Sequence, residues 1–300
     1  MSELELLGPT ISQMLTAAQL DPALVCQLIG LAIDEDLDGG VDVTTVATVP
    51  SGQQSILDFV ARKPGVVAGI PVAAAVFMMV CADDDLTIDF ASNDGDELLA
   101  GDLVLSVRSS THALLQAERP ALNFLGHLSG IATLTRTWVQ AIAGTGAAIR
   151  DTRKTTPGFR ALEKYAVRCG GGVNHRMSLS DAALVKDNHV LAAGGVAEAF
   201  ALVRKAFPGT PVEVEVDSLD QLAEVVEAGA DLVLLDNFTV AQTLEAVALV
   251  NGRARLEASG GLSIDVAHAV AATGVDYLAV GALTHSAPVL DIGADLRQAD

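Results

Sequence analysis

Basic residues that could bind an anion are concentrated in one segment of this sequence. Residues 150–186 hold eight of the 18 Lys and Arg in the chain but only three of its 38 Asp and Glu. Because the formal net charge of the chain is −20, this segment needs its own explanation. Arginine binds a phosphate or carboxylate through paired hydrogen bonds, and lysine binds it as a point charge. The segment predicts a site for a small, highly charged anion.

Two short motifs and one lysine are the candidates for this site. The run DTRKTTPG at 151–158 sets Arg153 and Lys154 beside hydroxyl side chains. The run GGGVNHR at 170–176 has glycines that either end a helix or let the backbone approach a ligand. Lys186 follows an apolar run and precedes Asp, Asn and His, which favours a site lysine over one that extends into solvent.

Carboxylates and glycines follow the later strands of the pattern. Glu215 and Asp236 lie at the ends of two predicted neighbouring strands, and paired carboxylates opposite basic groups suit Mg²⁺ carrying a phosphate. Neither spacing is a metal motif by itself. The loops Ser259-Gly260-Gly261 and Val280-Gly281-Ala282 resemble the phosphate cradles that barrel enzymes build from their last loops.

Strands that alternate with helices must position these residues. The apolar runs predict strands in the second half of the chain at 147–150, 182–187, 212–216, 232–236, 255–259 and 277–281. Helical patterns lie between them, which indicates parallel strands in a closed barrel or an open sheet. The first hundred residues predict an α+β domain with strands at 55–62, 86–90 and 102–110, and residues 112–143 predict two helices or a kinked one because of Pro120.

Composition excludes several classes of protein. The negative charge argues against nucleic acid as the main partner. Three scattered cysteines without a C-x-x-C pair argue against a disulfide framework or a structural zinc site. The N-terminus has no basic segment followed by an apolar run, so we expect no secretory signal, no membrane attachment and a cytoplasmic location.

The combined motifs closely resemble the quinolinate phosphoribosyltransferase family. The likeness rests on residues 151–189, EVEVDS at 213–218, LLDNF at 234–238, EASGG at 257–261 and VDYLAVGALTHS at 275–286. It extends upstream through DEDLDGGVDVTT at 34–45 and AERPALNFLGHLSGIAT at 117–133. The likeness therefore covers nearly the whole chain.

The resemblance implies a fold and an activity. The expected fold is α/β, with an N-terminal α/β sandwich domain (1–128 together with the tail 283–300) and an incomplete, seven-stranded α/β barrel (129–282). The expected reaction transfers phosphoribose from phosphoribosyl pyrophosphate (PRPP) to quinolinate with decarboxylation. This pentosyl transfer gives nicotinate mononucleotide, pyrophosphate and CO₂ for NAD biosynthesis.

The resemblance also implies roles for individual residues. Lys154, Lys186, Glu215 and Asp236 are the expected catalytic residues, and Glu215 and Asp236 are the expected ligands of Mg²⁺. The expected substrate contacts are Arg119, Thr152, Arg153, Lys154, His175, Arg176, Lys186, Glu215, Asp236, Ser259, Gly260, Gly261, Val280, Gly281 and Ala282. The family is homodimeric, and Arg119 is expected to reach the partner's site.

Other interpretations remain open at this point. A related phosphoribosyltransferase with another pyridine substrate, a Schiff-base aldolase using Lys186 or Lys154, and an anion or RNA binder all fit part of the pattern. Pro120 disfavours a helical conformation for Arg119. Arg160, Lys164 and Arg168 recur at helical spacing and form a stripe that could face solvent, a partner subunit or the cleft.

Overall fold

Helices and strands alternate along the chain, and a computed structural model describes them for residues 3–81 and 85–299. The helices of this part are α1 (Glu3–Leu6), α2 (Gly8–Ala17), α3 (Pro22–Leu37), α4 (Val43–Thr48), α5 (Ile70–Val80), α6 (Thr111–Ala141), α7 (Arg160–Cys169), α8 (Asp187–Ala193), α9 (Val196–Ala206), α10 (Leu219–Glu227), α11 (Val240–Val250), α12 (Ile264–Ala271) and α13 (Ala282–His285). The strands are β1 (Gln54–Ala61), β2 (Gly65–Val66), β3 (Thr87–Phe90), β4 (Glu97–Leu98), β5 (Leu103–Ser110), β6 (Ala148–Arg150), β7 (Ala183–Val185), β8 (Val212–Val216), β9 (Leu232–Asp236), β10 (Arg255–Ser259), β11 (Tyr277–Ala279) and β12 (Ile292–Gln298).

The first of two compact units comprises Met1–Leu134, Ala161–Gly170 and Ala287–Asp300. Its four-stranded antiparallel sheet has the order β12, β1, β5, β3. Burial alternates along β1, so one face of the sheet packs against a core. The ring of Phe59 meets that of Phe77 edge-on in this core, with centroids 5.7 Å apart. The three predicted strands are present. β12 was not predicted, because its sequence IGADLRQ has only one β-branched residue.

The second unit comprises Thr135–Arg160 and Gly171–Ser286. Its six parallel strands have the order β6, β11, β10, β9, β8, β7, and each corresponds to a predicted strand. Among the described residues no pairing joins β6 to β7, so the sheet is an incomplete barrel, as expected. Val173 adds a single parallel bridge to Arg150 beside β6. The sheet therefore has six strands and this single bridge, whereas seven strands were expected.

The prediction for residues 112–143 left two helices or one kinked helix open. The structure has a single helix, α6, of 31 residues with Pro120 inside it, so two helices are wrong, and Arg119 is helical. Proline removes one backbone donor and disfavours the helical conformation of the residue before it. The apolar face of α6 offsets this cost, since Leu114, Ala117 and Ala121 are fully buried.

No single helix in the described part of the chain is long and apolar enough to cross a membrane. Helices α2 and α3 meet the length and composition limits only when they are counted together, and they are bent by 109° at the break between them.

Candidate functional site

Several predicted site residues line one cavity of about 260 Å³ in the second unit. These predicted residues are Thr152, Arg153, Lys154, His175, Arg176, Lys186 and Ser259. They follow β6, α7 and β7 or end β10, and the carboxyl ends of parallel strands are where α/β barrels bind ligands. Leu184, Leu234, Glu257 and Ala279 complete the lining. We call this space the basic cavity.

Hydrogen bonds fix the loop that carries Lys154. The backbone N–H of Lys154 donates to Thr152 Oγ1 at 3.0 Å, and its carbonyl accepts from Thr284 Oγ1 at 2.9 Å. Thr284 lies on α13, which begins directly after Gly281. A Cβ atom at Gly281 would lie 3.0 Å from Lys154 Cδ. These contacts hold Lys154, which follows β6, against the loop that follows β11.

Two arginines of the basic cavity have buried donors without acceptors. Arg176 Nη1 donates to the carbonyl of Ala182 at 2.8 Å, which fixes the side chain. The Nε atoms of Arg153 and Arg176 are buried, and neither has a hydrogen-bond partner among the described residues. Burial and the nearby Arg153 guanidinium lower the pKa of Arg176. Unsatisfied buried donors are costly, and a bound anion would satisfy both.

His175 is held by both of its ring nitrogens. Its Nδ1 accepts from the backbone N–H of Arg176 at 2.7 Å, so the neutral ring carries its proton on Nε2. Nε2 donates to Glu213 Oε2 at 2.6 Å. The backbone N–H of His175 donates to Asp151 Oδ1 at 2.8 Å. These bonds fix the orientation of the ring and the start of the Arg176 side chain.

A cluster of buried charges adjoins His175. Arg150 Nη1 donates to Glu257 Oε2 at 2.7 Å and lies 3.8 Å from Glu213 Oε1. Burial and repulsion from Glu213 raise the pKa of Glu257, although Arg150 opposes the shift. One ligand atom from each of His175, Glu213 and Glu257 lies within 4.8 Å of the others, a spacing that a metal ion could use. Arg150 already supplies positive charge there, so we assign no metal to this cluster.

No role was assigned to Glu213 or Glu257 from the sequence. The signal was available, because side chains two residues apart lie on the same face of a strand. Glu213 precedes Glu215 by two residues in β8, and Glu257 precedes Ser259 by two in β10. In a barrel that shared face points inward, where charged residues are rare unless they are paired.

Glu215 and Asp236 line a second cavity, of about 320 Å³. We call it the acidic cavity, since its lining also includes Asp187 and Asp217 and no Lys, Arg or His. Lys186 Nζ donates to Glu215 Oε2 at 2.6 Å, so this ion pair joins the linings of the two cavities. Four carboxylates line this cavity and only Glu215 is paired with that lysine, so the described lining fits a hard divalent cation.

The two glycine loops follow β10 and β11 as predicted. Gly260 and Gly261 have φ of +86° and +58°, in the left-handed region that favours glycine. A Cβ atom at Gly260 would lie 2.3 Å from Asn237 Oδ1, so only glycine fits there. The backbone N–H of Asn237 donates to the carbonyl of Ser259 at 2.9 Å. Gly260, Gly261 and the residues Val280, Gly281 and Ala282 are not among the lining residues of the basic cavity.

The remaining predicted cations lie elsewhere. Arg119 is exposed on α6 and belongs to the first unit. The stripe on α7 does not face solvent as a whole, because Lys164 is fully buried. Arg168 Nη2 donates to the carbonyl of Ala18 at 2.7 Å, at the end of α2. Arg160 Nε donates to Thr155 Oγ1 at 3.0 Å. Arg160 and Arg168 therefore donate hydrogen bonds to other parts of the protein.

Two family models together match most of the chain. The model described as the N-terminal domain of quinolinate phosphoribosyl transferase matches residues 42–129, and the model of its C-terminal domain matches residues 131–295. The second match contains both cavities and the two glycine loops.

Individual relatives are similar over nearly their full length. A nicotinate-nucleotide pyrophosphorylase [carboxylating] of Mycobacterium leprae is 52% identical over 286 residues, covering 94% of this chain and 100% of the relative. A quinolinate phosphoribosyltransferase [decarboxylating] 1b of Nicotiana tabacum is 40% identical, covering 88% and 80%. The crystal structure of NadC from Streptococcus pyogenes is 41% identical, with a TM-score of 0.90, covering 94% of this chain and 99% of that one.

Proposed function

The chain belongs to the quinolinate phosphoribosyltransferase family and is a decarboxylating quinolinate phosphoribosyltransferase of NAD biosynthesis, and we propose that the basic cavity is where quinolinate reacts. The substrates follow from this activity. Quinolinate carries two carboxylates and PRPP carries several phosphate charges. A cationic cavity in a chain with a net charge of −20 concentrates such anions locally.

The observation that carries this proposal is the pair of buried Nε donors on Arg153 and Arg176. A guanidinium group presents its donors in a planar fork that matches a carboxylate. Two such groups accommodate two carboxylates on neighbouring ring carbons better than they accommodate one. We assign Arg153 and Arg176 to the carboxylates, with Thr152 and Lys186 beside them and His175 holding Arg176 in place.

The phosphoribose is assigned to the loops around the same strand ends. Ser259, Gly260, Gly261 and the residues Val280, Gly281 and Ala282 are the proposed cradle for the 5′-phosphate. Lys154 supports this assignment, since its side chain packs against Gly281 and lines the basic cavity. Backbone N–H groups of glycine-rich turns bind phosphate oxygens well.

We assign Mg²⁺ to the acidic cavity, with Glu215 and Asp236 as its protein ligands. The carboxylate lining supports this assignment, since Mg²⁺ prefers oxygen ligands and is often bound by one or two carboxylates plus substrate phosphates. A bound Mg²⁺ ion would neutralise charge on the departing pyrophosphate.

The residues also account for the course of the reaction. Transfer from pyrophosphate passes through an oxocarbenium-like state, which the carboxylates of Glu215 and Asp236 stabilise electrostatically. Lys154 and Lys186 offset the negative charge that develops on the leaving group. Ribosylation makes the ring nitrogen cationic, so it accepts the electron pair that remains when the adjacent carboxylate leaves as CO₂. The protein orients and desolvates that carboxylate.

The proposed assembly is a homodimer in which Arg119 reaches the partner's basic cavity. Arg119 supports this assignment because it is an exposed cation on a long helix. The proposed location is the cytoplasm, supported by three cysteines that form no disulfide in the described part of the chain, since thiols persist where the compartment is reducing.

The choice of pyridine substrate tests the assignment of the two arginines. The purified protein is assayed with PRPP and Mg²⁺ and either quinolinate or nicotinate, with nicotinate mononucleotide as the common product. We expect product from quinolinate and at least about 100-fold lower kcat/KM with nicotinate, since the lost carboxylate leaves buried donors unpaired. Equal use of nicotinate would contradict the assignment.

A further inference from the structure

Decarboxylation leaves an electron pair on the ring carbon, and a proton must reach that carbon. Four of the side chains that line the basic cavity are cations, namely Arg153, Lys154, Arg176 and Lys186. Ammonium and guanidinium groups are weak acids. The question is therefore which lining group delivers the proton once CO₂ has left.

Among the described residues that line the basic cavity, only Glu257 carries a carboxyl group, and it is fully buried. Its Oε2 accepts from Arg150 Nη1 at 2.7 Å, which fixes the side chain. Its Oε1 has no hydrogen-bond partner among the described residues. His175 Nε2 lies 3.8 Å from that oxygen, too far for a hydrogen bond.

The charges around Glu257 favour its protonated form. The groups that face it are Arg150 on β6, Asp151 after β6, Glu213 on β8 and His175 in the loop after α7. One guanidinium lies among three carboxylates, so a proton on one of them removes an uncompensated buried charge. Burial and the neighbouring carboxylates accordingly raise the pKa of Glu257.

We propose that Glu257 is the acid that protonates the ring carbon after decarboxylation. The bond between the ring carbon and its carboxylate breaks, CO₂ leaves, and the electron pair stays on the carbon beside the cationic nitrogen. That pair then takes the proton from the carboxyl of Glu257, which becomes a carboxylate stabilised by Arg150. Water restores the proton when nicotinate mononucleotide leaves. This role rests on the function proposed above.

His175 is less suited to this step. Its Nδ1 accepts from the backbone of Arg176, and its Nε2 proton is directed at Glu213. Delivering that proton to a substrate would break a bond of 2.6 Å to a buried carboxylate. Glu257 breaks no such bond, because its Oε1 is unpartnered.

Single-turnover assays of Glu257→Gln test the role. The two readouts are pyrophosphate, which reports phosphoribosyl transfer, and nicotinate mononucleotide, which reports the completed decarboxylation. We expect pyrophosphate release close to the wild-type rate and at least about tenfold slower nicotinate mononucleotide formation, with the ribosylated dicarboxylate accumulating. Glutamine keeps an oxygen for Arg150 but carries no acidic proton.

Two further variants make the result decisive. Arg253→Ala changes an exposed side chain that is not among the lining residues of the basic cavity, so its two products should appear in step. Glu257→Asp moves the carboxyl group back by one methylene and should also delay nicotinate mononucleotide formation. This variant tests the proposal if Glu257→Gln does not fold. If both products appear in step in the Glu257 variants, the proposal is overturned. If the wild type forms neither product, the proposed function fails instead.

Discussion

Hydrogen bonds within the protein fix individual side chains of the basic cavity. The donors that remain without an acceptor indicate an anionic ligand. Arg176 is fixed by Ala182 at one end and by the His175 ring at its backbone. Its Nε and that of Arg153 are left for an acceptor that the described residues do not supply. The sequence identified these residues as cations near strand ends. It could not show which donors are already paired, because that depends on contacts between distant loops.

Arg153 gives a direct test of quinolinate binding. We expect Arg153→Ala to raise the KM for quinolinate at least about tenfold, since a lost charge-assisted hydrogen bond costs roughly 1.5–3 kcal/mol. The melting temperature should not fall, because the substitution removes the repulsion that lowers the pKa of Arg176. Steady-state kinetics and thermal unfolding measure both effects.

Arg253→Ala is the matched control for Arg153. Arg253 is exposed, precedes β10 and donates to the carbonyls of Leu249 and Val250. Its KM for quinolinate should equal that of the wild type. If the two variants behave alike, Arg153 does not bind quinolinate.

Glu257 makes stability depend on pH in a stated direction. Burial raises its pKa from an ordinary 4.5 to about 8 in the folded protein, so the folded state binds more protons than the unfolded state between these values. The free energy of unfolding should therefore fall as pH rises from 4.5 to about 8, by at most about 1.4 kcal/mol per unit from this group. Urea denaturation at several pH values should show a flatter dependence for Glu257→Gln. An unchanged slope would mean that Glu257 is not protonated in the folded protein.

At the scale of elements, the strands were easier to predict than the identity of the side chains that face the inside of the barrel. The run VEVEV is a strand of the same five residues in the structure, because alternating β-branched residues suit a pleated sheet. Its Glu213 was not identified because a glutamate in a strand ordinarily faces solvent. The pairing of Glu213 with His175 joins residues 38 positions apart, and no local pattern encodes it.

For helices α6 and α7, too, local sequence preferences did not predict the outcome. Pro120 predicted two helices or a kinked one by local preference, but burial of one helix face keeps α6 a single helix. The spacing of the α7 cations predicted a stripe that could face solvent, a partner subunit or the cleft, yet Lys164 is buried and Arg168 donates to the end of α2. Tertiary packing decided both cases.

The loop after β10 allows a test of the phosphate cradle. We expect Gly260→Ala to raise the KM for PRPP, because its Cβ would lie 2.3 Å from Asn237 Oδ1 and displace the loop. Gly229→Ala is the control, since Gly229 also has positive φ (+89°) but has open space around it. Both variants should lose roughly 1 kcal/mol of stability from the strained backbone, and Gly260→Ala should lose more because of this clash. If KM for PRPP is unchanged in Gly260→Ala, the loop does not hold the phosphate.

At the scale of the whole molecule, an acidic chain with a net charge of −20 concentrates positive charge in the basic cavity, the proposed site of its anionic substrates. Charge and composition alone predicted an anion site, and the motifs identified the family. The arrangement of subunits could not be predicted from the residues, because no local sequence pattern encodes the contacts between two chains. Arg119 belongs to a different unit from the basic cavity, so its proposed reach into a partner's site is tested by mixing variants.

Complementation between Arg119→Ala and Arg153→Ala tests the shared site. Each variant alone should have low activity at quinolinate concentrations far below KM. After subunit exchange, mixed dimers carry one site with both defects and one with neither, so roughly a quarter of the wild-type activity should return. No recovery, with exchange confirmed by mass, would place Arg119 outside the partner's site.

The reaction balance of the purified protein tests the central claim most directly. Quinolinate labelled in the carboxyl group next to the ring nitrogen is incubated with PRPP and Mg²⁺, and CO₂, pyrophosphate and nicotinate mononucleotide are measured together. Decarboxylating phosphoribosyl transfer predicts that the three products form in equal amounts and that all the label appears in CO₂. Folded protein that forms none of them, or that retains the label in the nucleotide, would contradict it.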